Sequence, residues 1–133
     1  MSDDTLQTRL SLAGITPTAQ RMEVAQVFLT RPQHMSADQI LDELKRRGSA
    51  VSKATVYNSL KLFCANGLAQ ELNIDPSRTF YDSTIHPHHH FFNEDTGELT
   101  DIAPEALGFD VLPELPAGTE PAGIEVLIRI RNS

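Results

Sequence analysis

The spacing of apolar residues changes character near residue 68, and that change restricts the chain to a mixed α+β fold. Before it, four segments repeat apolar residues at helical intervals between start and stop signals; after it, short runs alternate apolar and polar residues as strands do. Thr5 to Ala13 places Leu6, Leu10 and Ala13 on one face, and Gly14 stands where a left-handed helix stop belongs. After "ITPT", Met22, Ala25, Phe28 and Leu29 form a second stripe, closed by Pro32. A third helix opens at Ser36, with Gln39 in capping-box position, and turns Ala37, Ile40, Leu41 and Leu44 inward before ending in the basic "KRRG". Ser52 caps a fourth, whose inward face is Val56, Leu60 and Phe63 and whose end is Asn66-Gly67.

The outward face of the fourth helix carries Lys53, Tyr57, Asn58 and Lys61. Two helices joined by a short turn, the second exposing such residues, are the parts of a helix-turn-helix. The strand-like runs "LAQELNI" and "TFYDS", separated by "DPSR", read as a hairpin, and four helices followed by a hairpin make a winged helix. A polar face on one helix is by itself commonly just solvated; the combination of cap, turn, polar second helix and wing points to double-stranded DNA. The expected DNA-contacting residues are Arg21, Lys53, Thr55, Tyr57, Asn58, Lys61 and Arg78. Tyr57 and Asn58 are placed to reach base edges or phosphates, while the basic residues mainly neutralise phosphate.

A net charge of −7 over 133 residues argues against a nucleic-acid binder until it is divided along the chain. Residues 1–82 hold nine Lys or Arg and nine Asp or Glu, whereas residues 83–133 hold two and nine. The local basic residues that meet phosphate, Lys45, Arg46, Arg47, Lys53, Lys61 and Arg78, all lie in the neutral half. Two functional units are the simplest account of this asymmetry: a DNA-binding domain over 1–82, a hinge over 83–87, and a small α/β domain over 88–133. Each has room for only a modest core. The single cysteine, Cys64, excludes a disulfide framework and a four-cysteine zinc site within one chain, and beside Phe63 it reads as a core residue. No apolar run approaches the ~18 residues of a membrane helix, and "MSDDTLQ" lacks the features of a signal peptide, so a cytoplasmic protein without membrane contact is expected.

The second unit opens on "HPHHHFFNEDTGELTD". Strand alternation puts His88 and His90 on one face and His89 on the other. "NEDTG" then makes a hairpin loop, and "ELTDI" returns Asp101 towards the pair. Nitrogen and carboxylate donors suit Fe(II), Mn(II), Co(II) or Zn(II) and lack the soft sulfur that favours Cu(I). His89 is left as spare, structural or an axial ligand, and His86, before Pro87, reads as solvated. The final "GIEVLIRIRNS", alternating Ile124, Val126, Ile128 and Ile130, reads as a core or intersubunit strand.

Taken together, these stretches resemble the ferric uptake regulator family of metal-responsive repressors almost end to end. "GITPTAQR", "HMSADQI", "SKATVYNSL" and the histidine strand before Gly97 each match a family region. The resemblance implies a regulatory metal site at His34, Asp82, His88, His90 and Asp101, where one ion would clamp the two units and set the spacing of recognition helices in a dimer. It also implies a homodimer bound to an A/T-rich palindromic operator. Asp rather than Glu at position 101 is similar to the peroxide-sensing branch.

Many members carry a CxxC pair before the equivalent of Gly97, but here Asn93 and Thr96 stand there, so that structural zinc is not expected. This departure, the triple histidine and the ending "PELPAGTEPAGIEVLIRIR" resemble the iron response regulator subgroup of rhizobia and their relatives. In that subgroup haem is the signal, which makes His88, His89 and His90 candidates for haem or a second metal as well. The expectation is therefore a non-enzymatic, metal- or haem-responsive transcriptional regulator of iron homeostasis. A peroxide-sensing metal-dependent repressor is the alternative. A metal-dependent hydrolase is the alternative of another class, disfavoured because five protein ligands leave little room for an activated water.

Overall fold

The computed structural model describes residues 2–86 and 88–133, so Pro87 of the expected hinge lies outside the described residues. The chain divides into two compact units, Met1–Ile85 and His86–Ser133. The first contains α1 (Asp3–Leu12), α2 (Ala19–Phe28), β1 (His34–Ser36), α3 (Ala37–Arg46), α4 (Lys53–Ala65), β2 (Gln70–Asp75) and β3 (Arg78–Asp82).

One device starts all four helices. Ser2, Thr18, Ser36 and Ser52 sit in extended backbone, and each side-chain oxygen accepts from the N–H three residues on, at Thr5, Arg21, Gln39 and Thr55. Each cap satisfies a donor that the first helical turn leaves without a partner. At Ser36 the bond is reciprocal, since its own N–H donates to Gln39 Oε1 at 2.8 Å. The helix ends also follow local rules: Gly14 and Gly67 take φ of 85° and 77°, which a side-chain-bearing residue rarely adopts. The first helix begins at Asp3 rather than Thr5, because Ser2 caps it.

The helices bury one core. Leu6, Leu10, Phe28, Ile40, Val56, Leu60 and Phe63 are wholly enclosed, joined by Val24 and Val27 of α2, while Met22 and Leu41 pack against it half-buried. The wing is a three-stranded antiparallel sheet in the order β1-β3-β2. Its hairpin turns at Asp75, whose Oδ1 accepts from the Ser77 N–H at 2.9 Å, and a register shift between Leu72 and Asp75 twists the strand there. The third strand, β1, is the element that the sequence reading lacks. It pairs His34 with Asp82, Met35 with Tyr81 and Ser36 with Phe80.

The second unit is a sheet of β4 (His89–Asn93), β5 (Leu99–Ile102) and β6 (Leu127–Ile130), with one 3-10 turn at Pro104–Ala106. Its order is β5-β4-β6, antiparallel between β4 and β5 and parallel between β4 and β6. Asn93 makes the β4–β5 turn, its Oδ1 accepting from the N–H groups of Asp95 and Thr96 at 2.9 and 3.1 Å. Phe92, Leu99 and Ile102 are buried together with the three histidines, whereas Phe109, Val111, Leu112, Leu115, Ile124 and Ile130 stay exposed. Of the expected final strand only Leu127–Ile130 forms, at the sheet edge. The whole is α+β: a winged helix-turn-helix unit followed by a small sheet unit.

Phe63 is enclosed on all sides, so Phe63→Ala removes both transfer energy and packing. A loss of about 3–5 kcal/mol is expected, read as a lowered urea midpoint of unfolding.

Candidate metal centre and nucleic-acid interface

The metal centre grows from strand alternation and one turn. His90 and Asp101 are direct cross-strand partners on β4 and β5. His88, just ahead of β4, shares the face of His90, with ring centroids 4.5 Å apart. Both rings aim Nε2 at the same Asp101 Oδ1, at 3.6 Å from His88 and 3.4 Å from His90. The His88 Nδ1 lies 2.6 Å from the His86 carbonyl, which can only accept; Nδ1 therefore carries a hydrogen, and when the ring is neutral it is Nε2 that offers the lone pair.

Facing a carboxylate oxygen, each Nε2 needs a positive charge beside it, supplied either by its own proton or by a metal ion held between the two groups. Ligand atoms around a tetrahedral ion with bonds of about 2.0–2.1 Å stand roughly 3.3 Å apart. The observed 3.4 and 3.6 Å approach that spacing, and the donor atoms of His88, His90 and Asp101 all lie within 4.8 Å of one another. The residues fit a divalent ion by donor type and separation. The carbonyl behind His88 orients that ring as an outer hydrogen-bond partner does in known metal sites.

His89 points the other way, as the alternation requires. It is buried, its Nδ1 accepts from the Val126 N–H at 2.9 Å, and its ring meets Phe109 edge-on at 6.2 Å. Of the three roles open to it, this geometry supports the structural one. His86 is exposed and contributes its carbonyl. In the first unit, β1 and β3 place His34 opposite Asp82, and the Asp82 Oδ1 accepts from the Thr84 N–H at 2.8 Å. The structure thus gathers three of the five expected ligands on the second unit and pairs the other two across the wing sheet.

The expected DNA-contacting residues divide into three groups. Arg21, Thr55 and Asn58 line one cavity of about 310 Å³ between the start of α2 and the outer face of α4, together with Thr18, Gln20 and Ser59. Arg21 is steadied there by donating from Nη1 to the Thr16 carbonyl at 2.8 Å. Lys53, Tyr57 and Lys61 are exposed along α4; Lys53 lies 3.3 Å from Asp38 and 6.0 Å from the Tyr57 ring centre. Arg78 packs over Phe80 at 4.7 Å in the wing.

The "KRRG" end of α3 is less available to phosphate than its charge implies. Glu43 binds both Arg46 and Arg47, and those hydrogen bonds, Arg46 first, hold its carboxyl down to about 2. Thr18 and Gln20, which sequence reasoning did not single out, line the same cavity as Arg21. The helix-cap pattern at Thr18 was the available signal, since a helix start exposes N–H groups suited to phosphate. Burial, then the nearby Glu71, pushes the Cys64 thiol up to about 11, in keeping with a core cysteine.

Fold and site together define a two-unit winged-helix protein with a nitrogen and oxygen donor cluster on its second sheet. The chain belongs to the ferric uptake regulator family, whose profile matches residues 13–108. It is 32% identical over 93 residues to the peroxide-responsive repressor PerR of Staphylococcus epidermidis, covering 70% of this chain and 62% of that protein. The chain thus spans less than two thirds of the length of that relative.

Among solved structures, the ferric uptake regulator of Pseudomonas aeruginosa with manganese is 25% identical and covers 99% of this chain and 98% of its own, with a TM-score of 0.72. The Vibrio cholerae ferric uptake regulator, at 20% identity, covers 96% and 99% with a TM-score of 0.75 and shares the fold.

Replacing His90 with Ala removes one of few donors, and Mn(II) affinity measured by calorimetry is expected to fall on the order of tenfold or more. For Cys64, the raised value means that thiolate forms only as pH approaches about 11, above the ordinary thiol range. Alkylation of the folded chain at pH 8 to 9 is expected to be much slower than that of the urea-unfolded chain; equal rates would overturn the core assignment.

Proposed function

We propose that this chain is a metal-responsive, DNA-binding transcriptional regulator of iron homeostasis that works as a homodimer. The observation that carries the reading is the pairing, in one chain, of a helix-turn-helix exposing Tyr57, Asn58 and Lys61 with a second unit whose His88, His90 and Asp101 fit a divalent ion. Membership of the ferric uptake regulator family supports it. So does the manganese in the related Pseudomonas aeruginosa structure.

In this reading α4 enters the major groove of an A/T-rich palindrome. Tyr57 and Asn58 meet base edges or phosphate, while Arg21, Lys53, Thr55, Lys61 and Arg78 hold the backbone. A bound ion supplies positive charge that draws carboxylate and imidazole donors to one point. His34 and Asp82 of the first unit carry the donor chemistry to join His88, His90 and Asp101, so occupancy would bias the arrangement of the two units. The exposed Phe109, Leu112, Leu115, Ile124 and Ile130 support self-association through the second unit.

A second reading, a peroxide-responsive repressor, is favoured by the Staphylococcus epidermidis relative and by Asp101. The haem expectation draws no support from the donor geometry, because His89 is engaged with Val126; haem is kept as an arm of the test. A hydrolase draws none either, since the relatives are named as regulators and repressors. Among the described residues no helix is long and apolar enough to cross a membrane.

The test is DNA binding by the metal-stripped protein, then with Mn(II), then with haem, at one salt concentration because phosphate contacts make affinity salt-dependent. Mn(II) is expected to tighten binding, and metal-independent binding would overturn the proposal. Lys61→Ala is expected to weaken all sequences alike and to reduce the slope of log affinity against log salt by about 1. A one-oxygen mass gain on a ligand histidine after peroxide, seen only with Fe(II) bound, would select the peroxide reading.

A further inference from the structure

The middle histidine of the run faces away from the metal centre, yet it is buried and engaged. Its partner is the backbone of Val126, the residue leading into β6, whose N–H donates to His89 Nδ1 at 2.9 Å. The carbonyl of the same residue accepts from the His90 N–H at 3.1 Å. Both backbone groups of Val126 are thus held by consecutive histidines of β4.

We propose that His89 is a latch, and neither a metal nor a haem ligand: it ties occupancy of the metal centre to the anchoring of β6. The proposal rests on His88, His90 and Asp101 being that centre. Because Nδ1 accepts a hydrogen bond, the ring proton of neutral His89 sits on Nε2, and the Nδ1 lone pair is committed to Val126.

β6 needs such a device. Among the described residues it is an edge strand, paired with β4 alone. Its far end is fixed separately, by the Glu94 N–H donating to the Ile130 carbonyl at 2.8 Å and the Asn132 N–H donating to Asp95 Oδ2 at 2.9 Å. Its near end follows the long exposed segment 103–125 and has the two histidine bonds to hold it.

An ion bound by His88 and His90 restrains the residues on both sides of His89. That restraint lowers the frequency with which the latch opens, and so the frequency with which β6 leaves the sheet. The strand carries Ile130 and follows Ile124, both part of the exposed apolar surface of this unit. Metal occupancy therefore reaches a surface fit for a second copy of the chain through a residue that does not touch the metal.

Hydrogen exchange of the full chain, read on peptides covering 124–133 with and without Mn(II), tests this alongside calorimetric Mn(II) affinity. In the wild type, Mn(II) is expected to slow exchange of these amides several-fold. His89→Phe is expected to bind Mn(II) with unchanged affinity while losing that protection. His89→Gln, whose amide oxygen can accept from Val126, is expected to restore it in part.

Val126→Pro removes the donor and leaves every histidine in place, so it is expected to lose the protection at unchanged Mn(II) affinity, and it carries the test if His89→Phe fails to fold. A fall in Mn(II) affinity in His89→Phe as large as that in His90→Ala would make His89 a ligand and overturn the proposal. Protection that persists in Val126→Pro would overturn it with the metal centre intact. A wild type that binds no Mn(II) would overturn the metal reading itself.

Discussion

The backbone at residues 34–36 is claimed by two elements. It forms the outer strand of the wing sheet, and its last residue, Ser36, caps α3 through reciprocal bonds with Gln39. A shift of one residue in the β1–β3 register would turn each β1 side chain to the other face of the sheet. The cap forbids such a shift, because Ser36 has to face the start of α3. Pairing and capping together set where the helix-turn-helix begins, and they hold His34 opposite Asp82. The position of α4 relative to the wing follows from this junction and from the core that α2, α3 and α4 share.

Charge is distributed to match this division. The first unit is balanced overall, and its cations are committed unevenly: Arg46 and Arg47 to Glu43, Lys53 to Asp38, Arg78 over Phe80. Arg21 lines the cavity between α2 and α4, and Lys61 is exposed on α4. The second unit carries the whole net negative charge, which repels phosphate and favours cations. One chain thereby presents a surface suited to polyanions and another suited to divalent ions.

Much of the first unit was legible because its signals are local. A hydroxyl cap and a turn of apolar spacing lie within a few residues of each other, so α2, α3 and α4 could be placed, with Val56, Leu60 and Phe63 inside. β1 was not legible, since three residues after a proline become a strand only by meeting β3, far along the chain. In the second unit, period-two alternation separated His89 from His88 and His90, and the short "NEDTG" turn brought Asp101 opposite His90. What His89 does was hidden: its partner is 37 positions away, and no spacing rule connects a buried ring to the N–H of Val126. The commitment of the "KRRG" arginines to Glu43 lay one helical turn away and could have been read.

The parallel pairing of β4 with β6 governs the order in which the molecule can be assembled. An antiparallel neighbour needs only a tight turn, but a parallel one needs a long crossover, here the exposed stretch between Ile102 and Leu127. Closing it costs chain entropy that the strand contacts repay only once they form. Among the described residues, every member of the first unit's core cluster precedes Ile85. During synthesis, a winged helix can therefore be finished and already compact while the strand that completes the second sheet has yet to emerge.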